Sequence, residues 1–142
     1  MATTCSHHHP RAAAPVRSAE AALKAITLAG GVGEDPCVVL ACLDRDRRPL
    51  TMFVVEDGHG PDDLRRAVDV LLDAGAHTAL AAVVVALSRP GEDAAPSTSD
   101  LATWRTVQRS CTDVGVLPID WFILADGQAV SVTEYLGDTA PW

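Results

Sequence analysis

The chain has 142 residues, enough for one domain and too few for two, and a chain of this size buries about 68–70% of its unfolded surface, so a core is possible without disulfides. Hydrophobic residues make up 48% and charged residues 21%, which excludes collagen-like, coiled-coil and wholly disordered classes. Eleven Lys and Arg against nineteen Asp and Glu leave a net charge of −8; a surface that neutralises phosphates should be basic, so nucleic-acid binding is not expected.

Residues 1–16 are small and polar, with Pro10 and Pro15, and are expected to form a disordered tail. They contain no apolar core of the signal-peptide kind. The longest apolar run, residues 79–87, is far short of the ~20 residues a membrane span needs. The expectation is a cytoplasmic protein without a membrane partner, in which Cys5, Cys37, Cys42 and Cys111 stay reduced. His7-His8-His9 reads as a low-complexity run, since nothing nearby completes a metal site.

A helix should open at Ser18, a good N-cap, with Glu20 in its first turn and Leu23 and Ile26 on its apolar face, and stop at Gly30-Gly31. Residues 37–43 are short, continuously apolar and rich in valine, as in a buried strand. An offset of five sets Cys37 and Cys42 on opposite faces, so they cannot chelate together and read as small buried hydrophobes. A polar turn over residues 44–49 leads to a second strand at 50–55, forming a hairpin. Gly60-Pro61-Asp62-Asp63 opens a second helix. Its stripe is Leu64, Ala67, Val68, Leu71 and Leu72, and Gly75 ends it.

Residues 83–87 are apolar on both faces, as in the middle of a sheet covered on both sides. A loop over 88–95 precedes a third helix over 97–114, with Leu101, Trp104, Gln108 and Cys111 along one side. Two further strands, 116–124 and 129–132, join through Asp126-Gly127, a preferred hairpin dipeptide. Residues 133–142 carry no pattern that assigns them. The fold class is α/β: a single domain with a mixed central β-sheet flanked by helices.

The informative stretch is Leu87-Ser-Arg-Pro-Gly-Glu-Asp-Ala-Ala-Pro-Ser-Thr-Ser-Asp100, which leaves the end of the central strand and enters a helix. Such strand ends are where open α/β sheets place their sites. With Pro90, Asp93, Pro96, Ser97 and Asp100 it resembles the JAB/MPN (JAMM) metalloprotease fold, in particular its RadC-like bacterial branch, which carries His-x-His-Pro-Ser-Gly and then Pro-Ser-x-x-Asp. A later element, Val114-Gly-Val-Leu-Pro-Ile-Asp120-Trp121, and an earlier hairpin over residues 43–50 also resemble that branch. The resemblance covers residues 18–136. It implies a cytidine-deaminase-like layering and a domain over 17–136 between the 1–16 tail and a 137–142 end piece.

In active members of that family, two histidines and the Asp hold zinc with an open position for water, a Glu from an earlier strand is the general base, and the Ser helps stabilise the oxyanion. The spacing has a reason: residues at i and i+2 on a strand end share a face and reach one metal. Here Leu87 and Arg89 stand at the two histidine positions. Leu has no donor atom, and Arg stays protonated. Trp121 stands where the branch often has a histidine after Asp120. Asp100 alone remains, a vestigial ligand, whereas catalytic zinc normally needs three. His59 and His77 are too isolated to substitute.

Glu56 lies near the position of the general base, and a register change of one residue would turn it to the other face; it also reads simply as an exposed glutamate at a strand end. Ser97 and Asp100 also read as a helix capping box. Arg89 is expected near Asp100, where its guanidinium could replace the charge of the metal; the alternative is a solvent-facing arginine on the loop. The expected pocket is Leu87, Arg89, Asp100 and Trp121, with Glu56 and Ser97 as vestigial catalytic positions.

The resulting expectation is a domain without a cofactor that has lost catalysis and acts as a protein-binding or dimerisation module. The alternative is a zinc-dependent hydrolase or isopeptidase with non-standard ligands. A role on DNA, which the family's historical label implies, is disfavoured by the acidic charge.

Overall fold

The structure, a computed structural model, describes residues 3–4, 14–30, 35–58, 60–75 and 79–142. His59, His77, Cys5 and the His7–His9 run lie outside the described residues.

Among the described residues, six strands form one mixed sheet: β1 (Thr3–Thr4), β2 (Cys37–Leu43), β3 (Pro49–Glu56), β4 (Ala82–Ser88), β5 (Leu117–Ala125) and β6 (Gln128–Ser131). Their spatial order is β1-β3-β2-β4-β5-β6. The helices are α1 (Ala19–Gly30), α2 (Pro61–Gly75), α3 (Thr98–Asp113) and α4 (Val132–Tyr135). All neighbouring strands run antiparallel except β4 and β5, which are parallel and joined by α3 as the crossover.

Local chemistry explains most element boundaries. Pro61 opens α2 where its missing N–H costs nothing, and Asp62 and Asp63 complement the positive end of the helix dipole. Asp126 (φ 47°) and Gly127 (φ 80°) both take positive φ, as the turn between β5 and β6 requires. Asp44 Oδ1 accepts from the N–H groups of Asp46 (2.8 Å) and Arg48 (2.9 Å), which closes the β2–β3 turn.

β2 and β4 are buried at every position, the mark of strands covered on both faces. Val38, Leu40 and Cys42 of β2, with Val83, Val85 and Leu87 of β4, face the layer of α2 and α3, together with Trp104, Val107, Trp121 and Ile123. Cys37, Val39, Ala41 and Leu43, with Ala82, Val84 and Ala86, face the opposite side, closed by Ile26 of α1 and by Ala140 and Trp142. Cys37 and Cys42 therefore lie on opposite faces, both buried. Each fully buried Val or Leu contributes about 1.5–3 kcal/mol of transfer free energy. The ladder between β4 and β5 slips at Ile119, since Val83 pairs with Pro118 and Val84 with Asp120. That extra residue sets the phase that turns Trp121 and Ile123 toward α3.

Two segments differ from the sequence expectation, and the end piece, which the sequence left unassigned, is placed by the structure. Within the expected tail, Thr3 and Thr4 pair with Val55 and Val54, and Val16 is buried with its N–H donating to Arg47 O at 2.8 Å. The last strand stops at Ser131, and Val132 begins α4 rather than ending a strand. Ser131 Oγ accepts from Glu134 N at 3.1 Å, so the Ser-x-x-Glu capping signal prevails there. The end piece is ordered on the core, with the Trp142 ring stacked 6.3 Å from Phe122.

Candidate functional site

β4 delivers its C-terminal residues to a turn built by the next four. Arg89 N donates to Leu124 O at 2.9 Å and so extends the β4–β5 ladder by one step. Pro90 and Gly91 then occupy the two central turn positions, Gly91 with φ 78°, and Glu92 N closes the turn on Arg89 O at 3.2 Å. A positive φ at the second central position calls for glycine. Gly91 N donates to Asp126 Oδ1 at 3.0 Å, tying this loop to the β5–β6 turn.

Leu87 and Arg89, two residues apart, share the face toward α3. Leu87 is fully buried in the core. The Arg89 guanidinium uses all three of its nitrogens: Nη1 donates to Asp100 Oδ2 at 3.0 Å, Nε to Asp93 O at 3.1 Å and Nη2 to Ala95 O at 3.1 Å. One cation thus joins the strand end, the loop and the start of α3.

Asp100 and Ser97 form a complete capping box. Asp100 N donates to Ser97 Oγ at 3.1 Å, and Ser97 N donates to Asp100 Oδ2 at 2.7 Å. Such a cap is worth about 1 kcal/mol. Asp100 Oδ2 serves both the cap and the ion pair, while Oδ1 is buried without a hydrogen-bond partner. The same holds for Nε1 of Trp104, one turn further along α3, and for Nε1 of Trp121. These two rings meet at 6.2 Å, tilted by 56°. The structure therefore brings Leu87, Arg89, Asp100 and Trp121 to one face of the sheet, with the Trp104 ring against Trp121.

Glu56 is not part of that assembly. It pairs with Cys37, and strand alternation sets it with Met52 and Val54 on the α1 face. The β3 residues on the face of Arg89 are Phe53 and Val55. A base at Glu56 would have to act through the sheet, so the one-residue register question at β3 resolves against contact with Asp100.

The residues present do not suit a catalytic metal. Leu87 offers no lone pair, Arg89 is a permanent cation, and Asp100 Oδ2 is already engaged by that cation and by Ser97 N. Among the described residues, no group of three His, Cys, Asp or Glu side chains could hold a metal ion. The described cysteines are free and buried. Burial pushes the Cys42 thiol up to about 12 and, with a smaller contribution from Asp69, the Cys111 thiol up to about 11, so thiolate chemistry at these positions is suppressed.

Sequence reasoning missed the role of Asp120. Its Oδ2 accepts from Ser131 Oγ at 2.6 Å, and its Oδ1 accepts from Trp121 N at 2.8 Å and Thr133 N at 3.3 Å. This carboxylate anchors the start of α4. An aspartate inside an apolar strand was the available signal, since a buried charge needs partners.

Comparison with known proteins bears on the same region. A family model described as RadC-like JAB domain matches residues 16–137. A search of curated proteins finds no match.

Proposed function

The chain belongs to the RadC-like JAB domain family, and from that premise we propose that it is a non-catalytic member that works by binding protein, either another chain or a second copy of itself. The observation that carries this reading is Arg89 seated on Asp100, with Nη1 and Oδ2 3.0 Å apart. A guanidinium there disfavours a second cation by charge and engages Asp100 Oδ2. The other elements of hydrolysis are missing at the same spot. Leu87 and Arg89 replace two nitrogen donors, and Phe53 and Val55 line the β3 face where a base would be needed.

Ser97 and Asp100 keep a helix-capping role that does not depend on chemistry. A fold retained around a filled site is suited to presenting surface. No helix among the described residues is long and apolar enough to cross a membrane. With the described thiols free and buried, the reading includes a reducing, cytoplasmic setting.

The test is elemental analysis and hydrolysis assays on protein prepared without a histidine tag. The expected result is substoichiometric zinc and no peptidase or isopeptidase activity. About one zinc per chain, lost to a chelator together with hydrolysis, would overturn the reading in favour of a metal-dependent hydrolase.

A further inference from the structure

We propose that residues 138–142 are a strap closing an apolar seat on the α1 side of the sheet, that Arg47 is its clasp, and that the opened seat takes an extended segment of another protein chain bearing an aromatic side chain. The proposal rests on the reading of the chain as a protein-binding module, and it names the surface and what controls it.

Arg47 sits in a conformation that its residue type does not favour. Its N–H donates to Asp44 O at 3.1 Å, and Asp44 N donates to Arg48 O at 3.0 Å. The β2–β3 connection is therefore a turn followed by one residue in the left-handed region, a position at which such hairpins take glycine. Arg47 fills it with φ 64°. A residue with a side chain persists there only where its surroundings fix it, and such residues gather at clamps and switches. Two ties are present. Arg47 O accepts from Val16 N at 2.8 Å, on the lead-in to α1. Arg47 Nη2 donates to Pro141 O at 3.2 Å, across 94 residues of sequence. Glycine would serve the turn and the first tie, because both use backbone; only the arginine side chain reaches the second.

The end piece is held by little else. α4 closes through Gly137, with φ 83°, and through Asp138 N, which donates to Thr133 O at 3.1 Å. Past Asp138 the Arg47 bond is the only hydrogen bond to the body of the domain among the described residues. Asp138, Thr139 and Pro141 are exposed, and Ala140 and Trp142 are half-buried. The Trp142 ring lies 6.3 Å from that of Phe122 at an interplanar angle of 19°. With Ala140 it packs on the core cluster that contains Ala82, Ile119 and Phe122. A segment held by one hydrogen bond and one stacked ring can open without unfolding the rest. The family match ends at residue 137, so the strap lies outside it.

The strap itself shows what the seat accepts. An aromatic ring stacks on Phe122 while a neighbouring backbone carbonyl meets a guanidinium, and an extended segment of another chain can make both contacts. While the strap is closed, a competitor binds only in proportion to the open fraction.

The test compares the full chain with Arg47→Gly and Trp142→Ala. Trp104 and Trp121 are wholly buried, so acrylamide quenching of tryptophan emission reads Trp142. Arg47→Gly should raise quenching at least about twofold in a chain that still unfolds cooperatively. An arginine that served the turn alone would leave quenching unchanged. A peptide with the sequence of residues 137–142, added at up to about 1 mM to isotope-labelled protein, should shift the amide signals of Ile119 and Phe122 in Trp142→Ala, with an apparent affinity at least about tenfold above that for the unaltered chain. Unchanged quenching in Arg47→Gly, or a peptide that fails to prefer Trp142→Ala, overturns the proposal. Trp142→Ala changes a half-buried end residue outside the hairpin, so it decides the matter even where Arg47→Gly fails to fold. Zinc content measured on the same material separates the two readings. A zinc-free chain whose seat takes no peptide removes the strap and leaves the non-catalytic reading intact, whereas a zinc-loaded hydrolase removes that reading whatever the strap does.

Discussion

Arg89 and Asp100 form a largely buried ion pair: their side chains are 11% and 1% exposed, and Nη1 lies 3.0 Å from Oδ2. Exposed ion pairs contribute little, but removing one member of a buried pair leaves an uncompensated charge. Arg89→Met should therefore cost about 3 kcal/mol of unfolding free energy. Part of that loss comes from the Asp93 and Ala95 carbonyls, which lose their donors. A double-mutant cycle with Asp100→Asn in urea should give a coupling above about 1.5 kcal/mol. A coupling near zero would make Arg89 an ordinary loop residue.

Leu87 and Arg89 share a face with Asp100, and on the proposed reading they stand where two metal donors were lost. The double variant Leu87→His with Arg89→His should bind zinc at about one per chain and show a melting temperature that rises with zinc. The single variants should not, because each leaves too few donors. Isothermal titration against a weak chelator distinguishes this site from loose binding by the His7–His9 run.

Burial raises the Cys42 thiol from 9.0 to about 12. A group with a higher pKa folded than unfolded holds its proton more tightly in the native state. Its stabilising contribution is complete below pH 9 and is lost as pH rises toward 12. Cys111, raised to about 11, acts in the same direction. Urea midpoints should therefore fall steadily above pH 9, and Cys42→Ala should be less stable overall but show a shallower fall. An unchanged slope in that variant would assign the alkaline loss to other groups.

Much of the framework was legible in the sequence because the signals were local or strictly periodic. Pro61 with two aspartates, the unbroken valines of β4 and Asp126-Gly127 each dictate a conformation over a few residues. Within the site, the i and i+2 spacing of Leu87 and Arg89 was enough to set both on one face. What was hidden depended on residues far apart in the chain. The inner-face neighbours of β3 follow from its register with β2, which fixes Glu56 opposite Cys37. The two carbonyls that Arg89 engages come from a loop path with no periodicity. Pairing of Thr3 and Thr4 with β3 rests on backbone groups, which every residue possesses, so their side chains carry no signal for it.

The strand order also divides the sheet by sequence. β1, β3 and β2 come from the first half of the chain and β4, β5 and β6 from the second, and the halves meet along the single β2–β4 ladder from Cys37–Ser88 to Leu43–Ala82. Neither half can finish alone, because the inner strand of each would be left with an unpaired row of backbone N–H and C=O groups. The seam is thus the step on which cooperative folding turns. It is also where a partly folded molecule is most open to trading halves with a neighbour, and crowding during refolding should favour such exchanged pairs over loss of helix or turn structure.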